Sequence, residues 1–319
     1  MQKNKQRARN TFVSQGNTNR VISGLQVDPE GMRKIMGRQD TTKTRAAAVF
    51  WIGCNLPRTS HLVLTIEELF DRLDWDIAVI GGPENCCGIV HFRAGDNDTG
   101  TKIVDNTVNN MARFEPEMVV AWCPTCHLQF NELLRGYLKP DFRFQHVTHF
   151  LMDRLDSLKS QWTRRIEKRV ALHEHNGVDG VSENIRTIVA AIPGITVVDV
   201  PQLSNFGYMC SRLAAAPAAR ADVHRKILDA GRDAGVDIVV TPYHSCQRDL
   251  CGAEIEYPFE VKNFVTIVGE AMGIEYEDKY KEFRMIGDVD KITEQTRALA
   301  KENNLDEEEV RAIVAKEFS

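Results

Sequence analysis

Three short apolar runs, each broken off at a cysteine, constrain this chain more than any other feature of its sequence. Ala46-Ala-Ala-Val-Phe-Trp-Ile52 ends at Gly53-Cys54. Asp76-Ile-Ala-Val-Ile80 leads through Gly81-Gly-Pro83 to Cys86-Cys87-Gly88, and Met118-Val-Val-Ala-Trp122 ends at Cys123. Runs of this length, rich in β-branched and aromatic residues and bounded by Gly and Pro, read as buried strands. Between the first two, Leu62, Ile66, Leu69, Phe70 and Leu73 recur at helical spacing, and residues 101–114 read as a second helix. Strand alternating with helix is the signature of a parallel α/β sheet. In such sheets the ligand site lies beyond the carboxyl ends of the strands. Cys54, Cys86, Cys87, Cys123 and Cys126 all fall at those ends, so the fold itself predicts that they meet.

The second half repeats the first less faithfully. Arg169-Val-Ala-Leu172 leads into His173-Glu-His175-Asn176, residues 195–200 lead to Tyr208-Met209-Cys210, and residues 236–240 lead into Tyr243-His-Ser-Cys246. These anchors stand 122, 123 and 120 residues after their counterparts Cys54, Cys87 and Cys126. Near-constant separation at three places predicts an internal duplication: two tandem homologous parallel-sheet α/β halves. The chain's 319 residues suffice for both. The expected domains are a basic N-terminal arm over 1–45, a first cysteine-rich domain over 46–160, a second and degenerate one over 161–256, and a helical C-terminal tail over 257–319. The arm carries ten Lys/Arg against three Asp/Glu, which reads as a solvated segment or as one that folds onto an acidic partner. Asp306-Glu-Glu-Glu309 is an acidic first turn that predicts a final helix.

A net charge of -5 gives no reason to expect nucleic acid as a partner. No apolar stretch reaches the length of a membrane span, and residues 1–20 do not resemble a secretory signal. A cytoplasmic location follows as the expectation. Eight cysteines in a reducing compartment then read as metal ligands or redox thiols rather than as disulfides. Soft thiolates converging on one place suit iron–sulfur clusters. A lone Cys-x-x-Cys is ambiguous between zinc, a redox pair and a cluster, and five cysteines exceed one tetrahedral zinc site. Five buried cysteines without metal, and zinc or an ordinary cluster, stay open at this level.

The pattern Cys-x31-Cys-Cys-Gly-x34-Cys-Pro-Thr-Cys closely resembles the cysteine-rich domain of the B-type subunits of heterodisulfide reductase and their family. Relatives there include B-type members of heterodisulfide-reductase-like sulfur-oxidation complexes and the iron–sulfur subunits of glycolate, lactate and thiol:fumarate enzymes. The resemblance covers about residues 46–252 as two tandem copies. It implies a noncubane [4Fe-4S] cluster on Cys54, Cys86, Cys87, Cys123 and Cys126. The second copy departs from the pattern: Asn176 stands in place of its first cysteine, Met209-Cys210-Ser211 replaces Cys-Cys-Gly, and Tyr243-His-Ser-Cys246 replaces Cys-x-x-Cys. Three readings follow. Cys210 and Cys246 form a redox-active thiol pair, the catalytic residues by this reading. Alternatively they join His173, His175, His244 or Cys251 in binding zinc or a smaller cluster. In the third, the half is a decayed structural copy.

His91, His127 and His149 read as packing or hydrogen-bonding residues. Arg58 and Arg93, close behind cluster cysteines, read as solvated side chains or as stabilisers of negative charge. The function the resemblance implies is oxidoreductase chemistry on sulfur groups within a multi-subunit complex, closest to the sulfur-oxidation relatives. The competing readings are a non-catalytic electron-relay or structural subunit, an iron–sulfur subunit of the lactate/glycolate or thiol:fumarate type, and a zinc-containing interaction module. Neither a ferredoxin-type cysteine run nor a Gly-x-Gly-x-x-Gly fingerprint is present. Electrons must then leave through partners, and the resemblance implies a ferredoxin-like iron–sulfur subunit and a flavoprotein subunit, with a lipoyl-bearing carrier protein as a source of sulfur.

Overall fold

The computed structural model describes residues 2–37, 43–174, 177–201, 213 and 216–319. The chain divides into two compact units, one of Met1–Leu64, Asp76–Gln145 and Asp278–Ser319, the other of Thr65–Trp75 and His146–Glu277. These bounds differ from the expected ones chiefly at the C-terminus. Residues 257–277 belong to the second unit, whereas 278–319 return to the first.

In the first unit the helices α1 (Gln2–Gly24) and α2 (Pro29–Ile35) precede a sheet of β1 (Ala48–Gly53), β2 (Ile77–Gly81), β3 (Met118–Ala121) and β4 (Arg143–His146). Its order is β2-β1-β3-β4, with β1 parallel to both β2 and β3. Strand β1 is buried throughout, which explains its unbroken apolar run: a central parallel strand has no solvent face. The connections carry α3 (Ser60–Arg72), α4 (Ile89–Arg93), α5 (Asn97–Ala112) and α6 (Pro124–Leu128). Phe130, on the π-helical turn Gln129–Leu133, meets Trp51 of β1 edge-on at 4.8 Å between ring centroids.

In the second unit the helices α7 (Val147–Met152) and α8 (Leu155–Ser160) lead to β5 (Arg169–Leu172), β6 (Thr196–Val197), β7 (Ile238–Thr241) and β8 (Glu260–Asn263). The order β6-β5-β7-β8 reproduces that of the first sheet, again with parallel pairings. The expected tandem α/β halves are thus present, down to strand order. Helices α9 (Val181–Ala190), α10 (Pro217–Asp233), α11 (His244–Leu250) and α12 (Phe264–Ala271) complete this unit.

Two expectations fail here. Each sheet gains a fourth strand where none was expected, and β8 falls in a stretch read as wholly helical. The basic arm is not a solvated segment. It forms α1, whose last residues from Val21 to Gly24 are buried. Helix α1 packs on the C-terminal α15 (Glu307–Phe318), where Arg20 meets Glu309 at 2.5 Å and Asn17 donates to Glu309 at 2.8 Å. Between α12 and α15 lie α13 (Lys279–Ile286) and α14 (Val289–Glu302). Asp306 caps α15 by accepting from the Glu309 N–H at 2.9 Å, as its acidic first turn predicts. Among the described residues no helix is long and apolar enough to cross a membrane.

Candidate redox site

Cys54, Cys86, Cys87, Cys123 and Cys126 come together at the carboxyl ends of three adjacent strands. Cys54 follows β1, the pair Cys86-Cys87 follows β2, and Cys123 and Cys126 open α6 directly after β3. Cys54 Sγ lies 3.9 Å from Cys86 Sγ, and the thiols are close enough to shift one another's ionisation in the order 54, 86, 87, 126, 123. Among the described residues no three His, Cys, Asp or Glu side chains are arranged to hold a single metal ion.

The local backbone explains why these residue types occur together. Gly53 has φ +70, a conformation that favours glycine, and it turns the chain out of β1 beside Cys126 Sγ. Gly88 also has φ +70, and its Cβ would come within 2.9 Å of the Gly100 carbonyl on α5. The glycine of Cys-Cys-Gly is therefore fixed by helix packing as well as by the turn. Pro124 occupies the first turn of α6, where its missing N–H costs nothing.

A second layer holds the turns. Trp51 Nε1 donates to the Asn85 carbonyl at 2.7 Å, Asn85 to the Gly81 carbonyl at 2.7 Å, and Thr107 to the Cys86 carbonyl at 2.9 Å. From α1, Asn19 donates to the Cys54 carbonyl, and the Gln15 amide lies 3.9 Å from Cys54 Sγ. Arg58 ties this corner together, donating to Asn19 Oδ1 at 2.5 Å and pairing with Glu317 at 3.0 Å. It is a half-buried arginine held in place by these partners rather than a freely solvated one.

The thiols differ in how readily they ionise. Hydrogen bonds from the Cys54 and Cys87 thiols, helped by the Gly88 and Cys87 N–H groups, hold Cys86 low despite its burial. The Cys126 contact and the N–H groups of Cys126 and Thr125 likewise pull Cys123 down. Bonding to Cys86, together with burial, pushes Cys54 well up, and contacts with Cys123 and Cys87 do the same to Cys126. At Cys87 a lowering contact with Cys126 is outweighed by Cys86 and by burial. Crowded thiols of this kind ionise together only when positive charge is placed among them, which is what a metal cluster does. The donor set is five soft sulfurs, largely dry and with backbone N–H groups aimed at two of them. It fits an iron–sulfur group.

Cys210 and His175 lie outside the described residues. Cys246 and His244 open α11 beyond β7, and both are buried, as is Cys251. His173 ends β5, its N–H bonded to the Val240 carbonyl at 2.8 Å, and its ring lies 6.5 Å from that of His224. His91 is hydrogen-bonded to buried Asp96 at 3.0 Å, His127 contacts Asn131 at 3.1 Å, and the His149 ring sits 6.4 Å from that of His146. Sequence reasoning missed Gln15, Asn19, Asn85 and Thr107. The only available signal was the i, i+4 spacing of Gln15 and Asn19 within the basic arm.

Residues 48–131 match the family model of the Cysteine-rich domain (CCG). Over 250 residues the chain is 23% identical to the D-type subunit of the dihydromethanophenazine:CoB–CoM heterodisulfide reductase of Methanosarcina acetivorans, covering 73% of this chain and 61% of the relative. The corresponding protein of Methanosarcina barkeri is 23% identical over 248 residues, covering 72% and 60%. The chain thus spans about three fifths of the length of the curated relatives it matches. Among solved structures, an aspartate racemase homologue from Pyrococcus horikoshii OT3 matches at 14% identity and a TM-score of 0.33, over 71% of this chain and 97% of that one. That likeness is too slight to bear on the fold.

Proposed function

We propose that this chain is an iron–sulfur subunit of a heterodisulfide-reductase-like complex, acting in oxidoreductase chemistry on sulfur groups. Cys54, Cys86, Cys87, Cys123 and Cys126 would ligate one noncubane [4Fe-4S] cluster. The observation that carries this reading is the convergence of all five cysteines at one sheet end, supported by the cysteine-rich domain match and by the similarity to the D-type heterodisulfide reductase subunits. Bound there, the cluster would supply electrons for splitting an S–S bond, or accept them when two thiols are joined into one. The chain's own residues would set its surroundings. Backbone N–H groups aim at Cys86 and Cys123, Asn19 and Thr107 anchor the carbonyls of Cys54 and Cys86, and Trp51 and Phe130 wall off water. The sulfur-oxidation relatives are the favoured group, because the second half lacks most of the cluster cysteines. A ferredoxin-like subunit and a flavoprotein subunit would then carry electrons away.

Iron and sulfide content with electron paramagnetic resonance on anaerobically purified protein tests this. About four irons per chain are expected. Stoichiometric zinc without iron would overturn it.

One observation favours a second reading, in which the second half relays or docks without thiol chemistry. Cys246 is only 2% exposed, and a thiol shut away from solvent is a poor nucleophile towards an external disulfide. Replacing Cys210 and Cys246 by Ser separates the two. Lost sulfur turnover in the assembled complex supports a thiol pair, and unchanged turnover supports the relay.

A further inference from the structure

A cavity of about 430 Å³ lies between α1 and α4, within the range of small-molecule sites. Its walls include Asn4, Arg7 and Ala8 from α1, and Val90, Arg93 and Ala94 from α4 and its C-terminal end. The chain as a whole has more acidic than basic residues, 45 against 40, yet among the described residues no carboxylate lines this cavity. Two arginines do, one from each wall, and among the described residues neither is in an ion pair. The nearby carboxylates are already matched. Asp96 bonds His91 at 3.0 Å and faces Lys5 at 3.4 Å, while Asp98 pairs with Lys5 at 3.1 Å. Ala8, Val90 and Ala94 add an apolar strip beside polar Asn4 and Thr11, enough to lie along a short hydrocarbon chain.

The cavity is aligned with the cysteine site. Asn4, Arg7, Ala8 and Thr11 fall on successive turns of one face of α1, and Gln15 continues that face. Thr11 and Gln15 are one turn apart, about 6 Å along the axis, and the Gln15 amide touches Cys54 Sγ. On the other wall, α4 starts at the glycine of Cys86-Cys87-Gly88, so Val90 follows the cysteine pair closely.

We propose that this cavity binds the anionic end of a small organic sulfur substrate, a carboxylate, sulfonate or phosphate held between the Arg7 and Arg93 guanidiniums. The substrate's sulfur then points along α1 towards Cys54. The choice of substrate end rests on the cysteine site being the redox centre. Anion binding itself does not.

The probes are dithiodiglycolate, a small disulfide with two carboxylates, and its uncharged diamide, titrated calorimetrically into the purified full-length protein. Saturable binding of the dianion at one site per chain is expected, with the diamide at least fivefold weaker. Arg7→Gln and Arg93→Gln should each weaken the dianion at least fivefold and leave the melting temperature unchanged, since both side chains are exposed. Arg93→Lys should recover part of the loss. Equal affinity for dianion and diamide, equal affinity in the variants, or no saturable binding up to about 10 mM would overturn the proposal. Iron content on the same preparation keeps the two readings apart. A full cluster with no discrimination sinks the anion site alone. Discrimination in protein that cannot hold iron supports the anion site and sinks the cofactor reading.

Discussion

Gly88 shows how much of the candidate site is steric. A side chain there needs φ +70, which costs a non-glycine residue about 1 kcal/mol or more, and its Cβ would press on the Gly100 carbonyl at 2.9 Å. Backbone cannot yield as a flexible side chain can. Gly88→Ala is therefore expected to destabilise the first unit by about 2–3 kcal/mol, read as a lower denaturant midpoint. An unchanged midpoint would mean that α5 shifts freely. Cys87→Ser should cost little stability but abolish most iron binding, because Cys87 stands mid-way among the interacting thiols. These residues were legible in the sequence, since adjacent cysteines followed by glycine have few other uses. Gln15 and Asn19 were not. Their roles depend on a helix lying against Cys54, which is 39 and 35 residues away in the chain, and neither residue type announces such a contact.

At the scale of elements, the strands ending in cysteine were legible because central parallel strands are apolar on both faces. Strands β4 and β8 were not. Arg143-Phe-Gln-His146 and Glu260-Val-Lys-Asn263 are short and polar, as sheet edges tolerate, and only pairing with β3 and β7 marks them as strands. Helix α1 was misjudged for a related reason. Its charge is concentrated towards its N-terminal half, while the buried end is held by side-chain contacts that composition does not reveal. Asn19 is the test of that docking. It is buried, bonds the Cys54 carbonyl and accepts from Arg58, which in turn holds Glu317 of α15. Asn19→Ala strands a partly buried carbonyl and loosens a half-buried ion pair, with an expected cost of about 1–3 kcal/mol. Two residues away, exposed Asn17 makes one bond to Glu309, and Asn17→Ala should change stability by less than about 0.5 kcal/mol. Equal denaturant midpoints for the two variants would mean that the Asn19 corner is not what docks α1.

At the scale of the whole chain, the duplication was legible as a constant offset, but the return of residues 278–319 to the first unit was not. That return rests partly on a buried contact with a pH signature. His61 of α3 is buried, with Nδ1 3.4 Å from Asp278 Oδ1, the residue at which the C-terminal segment rejoins the first unit. Burial lowers the His61 pKa below its ordinary 6.5, with Asp278 opposing the shift and Lys281 adding to it. The folded protein therefore holds His61 neutral over a range where the unfolded chain would protonate it. Below about pH 6.5 the unfolded state binds the extra proton, so stability falls with falling pH by at most about 1.4 kcal/mol per unit for this group, until the folded pKa is reached. Above about pH 6.5 the contribution is complete and flat. Urea unfolding at about pH 7.5 and about pH 5.5 should show wild type losing more stability over that interval than His61→Gln, a neutral replacement of similar polarity. The difference between the two slopes, rather than either midpoint, carries the result, because other histidines titrate in both proteins. Parallel slopes would show that His61 is protonated as easily folded as unfolded, and that its pairing with Asp278 does not shape the pH response.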